Sequence, residues 1–467
     1  MAARQLSKRL LTTKRYYTTK PEKAIFMTQD QLESLGIVDL EDQSELLVKE
    51  INVSNESYTR GSEEAEFGRK RIGCVQLPKS LVNGITDLIE GQDKRLIRTD
   101  ALRLYDALRS TAKIPKPLET DFDGSRTAKK QRKQNNKKEA IEPHKLSYGP
   151  RESVAYAAGA LPSTFAAITN VMQELALRLS DFKPKSMLDF GTGPGTAIWA
   201  AKQTFELEKY TGVDLSEDML RIAEQLELSM RSSEHEQPID FKRYLALDPK
   251  SSGTDLVVSA FTLGDIASTA LMKSTVEQLW AQTKDVLVLI DRGTPIGFSN
   301  IARARQWILD AEKSNVHVVA PCSHDKPCPL LFSPQAKPDD IWCHFSQRVQ
   351  RPAFLMKTKH SKFNTEDSKY AYVILRRGSR PSLTNTIQEQ AYQWPRLIQP
   401  PLKKNGHVVM DVCSTQGEIQ RMTIPKSQGK IPYRDARKAM WGDLFPHSSK
   451  NKIVTRVSQG VVDSLHE

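Results

Sequence analysis

Three closely spaced glycines could bring the backbone close to a nucleotide ligand. Gly191, Gly193 and Gly195 lie between an apolar, strand-like run and a helix-like run that begins at Thr196. Glycine lets the chain turn sharply and approach a ligand closely. The next apolar run ends in Asp214, about 20 residues beyond the loop, where an acid can accept both ribose hydroxyls of an adenosine ligand.

The spacing of these glycines separates two classes of cofactor. Dinucleotide folds use G-x-G-x-x-G/A, whereas this loop reads G-x-G-x-G and follows Asp189. It resembles motif I of class I S-adenosylmethionine-dependent methyltransferases. That resemblance implies that Asp189 holds the amino-acid end of the cofactor, Asp214 the ribose, and Asp248 a place near the adenine. The alternative is a tight turn in an α/β fold that binds nothing.

Groups for methyl transfer are harder to find in the sequence. The segment after the fourth strand-like run, residues 257–265, lacks the N/D-P-P-Y/F motif that grips a flipped base. A nucleophilic cysteine is needed for attack on a cytosine ring, and Cys322 lies well beyond the fifth run. Asp265 and Asp291 could accept a proton, but each is more typical of a strand end or helix start. The sequence therefore favours cofactor binding over chemistry.

Four of the five cysteines form a second candidate site. They are Cys322, Cys328, Cys343 and Cys413. Four thiolates can hold a tetrahedral zinc ion or a cubane iron–sulfur cluster. The spacing matches neither the C-x2-C motif of structural zinc sites nor the C-x3-C-x2-C motif of radical S-adenosylmethionine enzymes. Spacing therefore does not decide between zinc and an iron–sulfur cluster. Independent buried thiols are the alternative. His324 and His344 could replace a cysteine on zinc, and Cys74 is interpreted as a small buried hydrophobe.

The elements around these groups follow an α/β pattern. Short apolar runs alternate with helical stretches at 186–190, 210–214, 240–245, 255–260 and 285–290. This alternation predicts βαβ units and a mostly parallel, Rossmann-like sheet. Residues 29–120 and 146–179 have helical spacing, with a possible restart at Pro162, and 435–444 is predicted as a short helix. Later strands are expected at 370–375 and 407–424.

Composition and charge limit the function classes. The 467 residues hold 68 Lys and Arg against 56 Asp and Glu, a net charge of +12. The longest uncharged aliphatic run, residues 286–290, is too short to cross a bilayer, so we expect no membrane insertion. Five cysteines exclude a secreted disulfide scaffold.

The positive charge is concentrated in three segments, residues 1–20, 124–138 and 341–467, and the remainder is net acidic. Such a one-sided field favours a nucleic-acid partner, with ordinary solvated surface as the alternative. The first segment has the composition of a mitochondrial transit peptide, which predicts a matrix protein. The predicted RNA-binding residues are Lys129, Lys130, Arg132, Lys133, Arg348, Arg351, Lys426, Lys430, Arg434, Arg437 and Lys438.

Four segments carry a resemblance to one known family. They are residues 188–195, 290–298, 320–329 and 342–348, joined by the tail at 417–446. Together they resemble mitochondrial small-ribosomal-subunit assembly factors of the methyltransferase-like protein 17 type. The resemblance implies a [4Fe–4S] cluster on the four cysteines, retained S-adenosylmethionine binding, and no methyl transfer. It also implies docking on small-subunit rRNA, with ribosomal proteins and other assembly factors as partners.

The predicted organisation combines both lines of inference. It has a transit peptide (1–21), a helical N-terminal region (22–120), a basic linker (121–145), and a class I methyltransferase-like domain (146–425). That domain contains a metal-binding insertion (317–352) and is followed by a basic C-terminal extension (426–467). The expected function is assembly of the mitochondrial small subunit. The alternatives are an active rRNA methyltransferase and a permanent structural mitoribosomal protein.

Overall fold

The computed structural model describes residues 61–110, 147–231, 238–245, 253–382 and 385–458. The helices in these ranges are α1 (Glu63–Phe67), α2 (Lys79–Ile89), α3 (Lys94–Ser110), α4 (Pro150–Gly159), α5 (Leu161–Arg178), α6 (Thr196–Ala201), α7 (Glu217–Met230), α8 (Thr269–Ala281), α9 (Pro295–Glu312), α10 (Pro329–Phe332), α11 (Ala353–Lys359), α12 (Ile387–Gln390) and α13 (Lys430–Lys438). The strands are β1 (Cys74–Val75), β2 (Ser186–Phe190), β3 (Lys209–Val213), β4 (Asp240–Lys242), β5 (Thr254–Ala260), β6 (Thr283–Arg292), β7 (Val316–Ala320), β8 (Phe345–Gln350), β9 (Thr365–Arg377), β10 (Arg396–Leu397), β11 (Leu402–Lys403), β12 (His407–Cys413), β13 (Ile419–Pro425) and β14 (Val454–Val457). Within these ranges, no helix is long and apolar enough to cross a membrane.

The main sheet has the strand order of a class I methyltransferase. Its path is β4-β3-β2-β5-β6-β9, and the strands from β4 to β6 are parallel. The long strand β9 runs antiparallel to β6, and both β7 and β8 pair with its other edge. The predicted α/β fold class, with a mostly parallel Rossmann-like sheet, is confirmed.

Burial on both faces explains the apolar runs that predicted the strands. Along β6, Val286, Val288 and Ile290 pack into one core cluster. The alternate residues Leu287 and Leu289 pack into the cluster on the opposite face. A parallel sheet covered by helices on both sides needs such continuous apolar strands. The helix break expected near Pro162 is also present, since α4 ends at Gly159 and α5 begins at Leu161.

The described part of the N-terminal region, residues 61–110, is joined to the main sheet. Strand β1 pairs in parallel with β8, and Leu81 and Ile85 on α2 are fully buried in the same core cluster as α5. Lys70 forms a buried ion pair with Glu174 on α5. This stretch therefore contains helices, as its apolar spacing predicted. The predicted transit peptide and the basic linker lie outside the described residues.

The C-terminal part differs from the expectation in its details. The stretch 407–424 forms the hairpin β12–β13 of a second, antiparallel sheet, which also contains β10, β11 and β14. Helix α13 covers residues 430–438, so the helix predicted at 435–444 begins earlier and ends earlier. It ends at Lys438 because Ala439 leaves the helical conformation, with φ −54° and ψ 144°, and the chain then continues to a bridge between Leu444 and Arg396. The predicted insertion, 317–352, is partly core, since it contains nearly all of β7.

Candidate functional site

The glycine loop between β2 and α6 has the backbone that the sequence predicts. Gly191, Gly193 and Gly195 have φ values of +74°, +52° and +78°, in the left-handed region that favours glycine. A Cβ on Gly191 would lie 2.1 Å from the Thr262 hydroxyl oxygen. A Cβ on Gly193 would meet nothing within 4 Å. The loop is thus tightly packed at its base and open around its middle glycine.

Asp189 presents a buried carboxylate oxygen to this loop. One oxygen accepts a hydrogen bond of 2.7 Å from the Thr192 hydroxyl, while the other is buried and has no hydrogen-bond partner among the described residues. Burial raises the pKa of Asp189 to about 7, the Thr192 hydrogen bond opposes the rise, and nearby Asp214 adds to it. A cation with N–H donors would satisfy this oxygen and favour its ionised form. The α-ammonium of an S-adenosylmethionine molecule is such a group, so the residues fit this cofactor.

Asp214 directly follows β3 and stabilises the glycine loop by accepting a backbone hydrogen bond from it. Its two oxygens accept the backbone N–H groups of Gly193, at 2.8 Å, and of Ser216, at 2.9 Å. Burial raises the pKa of Asp214, and the two backbone hydrogen bonds oppose the rise. Each carboxylate oxygen has a second lone pair, so ribose hydroxyls can still be accepted. The third predicted cofactor residue, Asp248, lies outside the described residues.

The ends of β5 and β6, where a methyl acceptor would approach, carry an ion-pair network. The guanidinium of Arg292 lies 3.2 Å from a carboxylate oxygen of Asp265 and 3.7 Å from one of Asp291. Asp291 also accepts a 3.1 Å hydrogen bond from Asn300 on α9. Burial raises the pKa of Asp265, and Arg292 opposes the rise. Both acids that the sequence offered as proton acceptors are therefore committed to structural partners.

The four cysteines named above line one cavity, although they come from separate elements. Cys322 follows β7, Cys328 precedes α10 and Cys343 precedes β8, all within the predicted insertion. Cys413 ends β12 of the second sheet and still faces the same cavity. No three His, Cys, Asp or Glu side chains in the described ranges are arranged to hold a single metal ion. The cavity walls are otherwise largely apolar, with α9 and β9 contributing side chains.

The cavity strongly disfavours free thiolates. Burial raises the pKa of Cys328 to about 12, and Cys322 adds to this effect. Burial and the neighbouring thiols also raise the pKa values of Cys343 and Cys413 well above the usual range. A metal group that replaces the protons would remove the repulsion, because coordination deprotonates thiols outright. The donor set therefore fits a cluster bound by four cysteines.

The other histidine and cysteine candidates, His324, His344 and Cys74, do not line the cavity. His324 lies with Nε2 3.3 Å from the Cys413 sulfur and Nδ1 3.1 Å from the Lys326 carbonyl oxygen. Burial lowers the pKa of His324 to about 3, so the ring is neutral. His344 stacks on Trp342 and does not line the cavity. Cys74 is exposed at the sheet edge on β1, so its interpretation as a buried hydrophobe is wrong.

Two buried arginines next to the cysteines were not found by sequence reasoning. Arg305 on α9 and Arg396 on β10 both line the cavity and are each 2 % exposed. Arg396 donates hydrogen bonds to the carbonyl oxygen of Pro321, at 2.9 Å, and to Glu174, at 2.7 Å. It thereby fixes the backbone immediately before Cys322. In the sequence each is one arginine among many, and no spacing distinguishes it.

A cationic groove lies where α13 meets the loop after β13, in the C-terminal subdomain formed by the second sheet (β10 to β14) and α13. Its lining consists of Lys426, Lys430, Tyr433, Arg434 and Arg437. The face of α13 on the other side is anchored by Asp435, which accepts hydrogen bonds from the Ser62 hydroxyl, at 2.9 Å, and from His447, at 2.7 Å. The helix therefore holds its basic side chains toward solvent. Tyr433 was missed as a site residue, although an aromatic residue within a basic run was visible in the sequence.

The other predicted RNA-binding residues have different surroundings. Arg348 is paired with Asp367 at 2.8 Å, and Arg351 with Glu366 at 2.9 Å. Lys438 lies on α13 but does not line the groove. Those of the linker, Lys129, Lys130, Arg132 and Lys133, lie outside the described residues. The groove thus brings together four of the predicted residues and leaves the paired arginines apart.

Comparison with known proteins gives consistent matches. The family model described as mitochondrial small ribosomal subunit Rsm22 matches residues 150–446. The human protein named ribosome assembly protein METTL17, mitochondrial, is 33% identical over 408 residues, covering 81% of this chain and 84% of the relative. The Saccharomyces cerevisiae protein named ribosome assembly protein RSM22, mitochondrial, is 24% identical, covering 68% of this chain and 71% of the relative.

Solved structures are similar at much lower identity. A putative RNA methyltransferase from Pyrococcus horikoshii has 12% identity and a TM-score of 0.28, covering 45% of this chain and 84% of that chain. The plantazolicin methyltransferase BpumL, in complex with SAH, has 11% identity and a TM-score of 0.29, covering 60% of this chain and 97% of that chain. From its own strand order and glycine loop, the present chain is a class I methyltransferase-like protein. It belongs to the Rsm22 family.

Proposed function

We propose that this protein is a matrix assembly factor of the mitochondrial small ribosomal subunit that binds precursor rRNA. Its methyltransferase-like domain binds S-adenosylmethionine without transferring the methyl group, and its four cavity cysteines hold a [4Fe–4S] cluster. The relatives named as mitochondrial ribosome assembly proteins support the assembly role. Other assembly factors and ribosomal proteins are the expected partners.

The observation that carries the RNA-binding part is the cationic groove. Four basic side chains surround Tyr433. The positive charge of the groove extends to Lys403, because burial and the nearby Arg437 both lower the pKa of that lysine. Acidic partners within the groove lining are absent among the described residues. Clustered cations neutralise phosphates and release counterions, and an aromatic ring among them can stack on an unpaired base.

Two features favour cofactor binding without methyl transfer. Asp189 has an unsatisfied buried oxygen beside the loop, which supports binding of an ammonium group. At the acceptor side, Arg292 engages both candidate proton acceptors, Asp265 and Asp291. When bound, S-adenosylmethionine would supply an electrophilic methyl group, but the described residues near it are engaged in structural contacts. Its role here is then to hold β2, β3 and the loop in one arrangement.

The cluster would connect two sheets that are separate in hydrogen bonding. Three cysteines belong to the segment between β7 and β8, and Cys413 ends β12. In a cubane each thiolate binds a different iron, which suits four thiols distributed around one cavity. The cluster would thereby hold the subdomain that carries the cationic groove against the methyltransferase-like domain.

Charge reversal in the groove tests the proposed function. The triple variant Lys430→Glu, Arg434→Glu, Arg437→Glu should lose about three phosphate contacts. Each contact contributes roughly 0.7–0.9 to the slope of log K against log salt, so the slope should fall by about 2–3. The measurement is binding to small-subunit rRNA fragments at several salt concentrations, together with co-sedimentation with precursor subunits.

The matched control reverses three exposed lysines elsewhere, Lys79, Lys183 and Lys273. It changes the net charge equally and should leave the slope close to that of the wild type. Equal losses in both triple variants would indicate only long-range attraction and would contradict a specific interface. A methyl mark on rRNA that disappears with Asp189→Asn, while subunit maturation stays normal, would favour an active rRNA methyltransferase. Stoichiometric presence in mature translating ribosomes would favour a permanent ribosomal protein.

A further inference from the structure

Arg305 projects from α9 into the wall of the cysteine cavity. The cavity is lined by Arg305 together with all four cysteines, and only 2 % of this arginine is exposed. A guanidinium is charged at every physiological pH, so burial without an anion is unfavourable. Its position therefore calls for a negatively charged partner within the cavity or its walls.

The hydrogen bonds of Arg305 leave much of its capacity unused. Nη2 donates to the carbonyl oxygen of His324 at 2.7 Å, within the cysteine-bearing loop. Nε and Nη1 are buried and have no hydrogen-bond partner among the described residues. Native proteins rarely leave two buried donors of one side chain unpaired unless a ligand, ion or water completes them.

The charge of Arg305 is likewise not matched by a carboxylate. In the part of the chain that the structure describes, no acidic side chain forms an ion pair with it. Asp325 lies close enough for Arg305 to contribute to the lowering of its pKa, after Arg380, but its oxygens are bonded to Arg380 at 2.7 Å. The positive charge at the cavity wall is therefore available to another anion.

The second arginine of the cavity has no such surplus. Arg396 donates hydrogen bonds from all three nitrogens: from Nε to the Pro321 carbonyl oxygen, from Nη1 to the Gly442 carbonyl oxygen at 2.8 Å, and from Nη2 to the Glu174 carboxylate. Its charge is matched by Glu174, which also pairs with Lys70. Two arginines on one cavity thus differ: Arg396 has a complete set of protein partners, whereas Arg305 does not.

We propose that Arg305 is a positioning residue for the cysteine-bound cluster, supplying a counter-charge and two N–H donors to its sulfur atoms. The inference rests on the cluster proposed above. Four thiolates outweigh the positive charge of a cubane core, so the bound group is an anion and becomes more negative on reduction. Hydrogen bonds to sulfur and nearby charge are among the factors that set the potential of such clusters. Loss of Arg305 should therefore lower the midpoint potential and weaken retention of the cluster.

The test compares four full-length proteins prepared without oxygen: the wild type, Arg305→Lys, Arg305→Met and Arg178→Met. Arg178 is a matched control, because it is a buried arginine with an unpartnered Nε that does not line the cavity. Iron and sulfide per chain are measured, and the midpoint potential is obtained by following the paramagnetic reduced cluster as dithionite supplies one electron. Thermal unfolding monitors folding independently.

We expect the wild type, Arg305→Lys and Arg178→Met to hold equal amounts of iron and sulfide at closely similar potentials. Arg305→Met should show a lower midpoint potential, or a reduced cluster content with unfolding like that of Arg178→Met. A cluster of unchanged content and potential in Arg305→Met overturns the role of Arg305 alone. A wild-type protein that contains no iron overturns the cluster proposal and this inference with it.

Discussion

Replacing Asp189 with asparagine should stabilise the cofactor-free protein at high pH and weaken cofactor binding. The substitution keeps the shape and the acceptor for Thr192 but removes the charge. In the wild type, burial raises the pKa of Asp189 from 3.8 to about 7. At roughly 1.4 kcal/mol per pH unit, the ionised carboxylate then destabilises the fold by about 4 kcal/mol.

The sign of the pH dependence follows from proton binding. Between pH 4 and 7 the folded protein holds a proton on Asp189 that the unfolded chain has lost, so stability falls as the pH rises through this window. Above pH 7 the contribution is constant. Asparagine does not titrate. Its amide, however, would place N–H donors where the carboxylate oxygen has no partner, and leaving them unpaired would destabilise the fold by about 1–3 kcal/mol.

The two stability curves should therefore cross. Below pH 4 the Asp189→Asn variant should be the less stable protein, and above pH 7 it should be more stable by about 1–3 kcal/mol, the difference of the two terms. Denaturant unfolding at several pH values measures the gap, and subtraction of the curves cancels the titrating groups that do not interact with Asp189. The exposed carboxylate of Asp87 provides the control, since Asp87→Asn removes one negative charge but leaves the buried Asp189 in place and should not make the curves cross.

Binding should change in the opposite direction. Loss of a charge-assisted hydrogen bond, about 1.5–3 kcal/mol, should raise the Kd for S-adenosylmethionine by roughly 10- to 150-fold in calorimetry at pH 8. A stability gap that is independent of pH would refute the burial argument. An unchanged Kd would instead show that Asp189 does not contact the cofactor.

Three further changes test other parts of the structure. Glu174→Gln should lower the free energy of unfolding by about 3–5 kcal/mol, measured by denaturant titration, because the ion-paired cations would lose their shared buried anion. Gly195→Ala should destabilise the protein more than Gly378→Ala. Both glycines have positive φ, but only an alanine at position 195 would place its Cβ 2.8 Å from the Trp199 ring. The melting temperatures of the two variants measure the difference. Cys413→Ser should abolish the brown absorbance and the iron content of anaerobically purified protein, whereas serine at the exposed Cys74 should leave both intact.

Local pattern was enough to predict the methyltransferase-like core. The runs that became β2, β5 and β6 were visible because each packs apolar residues into the clusters on both faces of the sheet, and the glycine loop was visible because its conformation requires a specific residue type. The cysteine set was predicted from residue type and from family resemblance, since spacing alone left zinc and iron–sulfur open. The strand and loop signals are each contained within a few consecutive residues.

The contacts around the cavity could not be predicted in the same way. The ion pairs of Glu174 join it to Lys70 and to Arg396, the latter 222 residues away along the chain. Such pairings depend on the completed sheet and leave no periodic trace. Cys74 was misjudged for a related reason: whether a two-residue strand buries a given side chain depends on which strand it joins, and β1 joins the edge strand β8.

The contacts of the segment at residues 61–70 constrain the order in which the chain can fold. The Ser62 hydroxyl binds Asp435, and the Lys70 amide binds Asp443, in both cases across 373 positions of sequence. The Gly68 carbonyl oxygen accepts the amide of Leu444 at 2.8 Å. Residues 61–70 therefore cannot complete these bonds until residues 435–444 are also available in the matrix. Closing so large a loop is entropically costly and slow, so the early segment stays exposed to chaperones until the C-terminal part of the chain has folded.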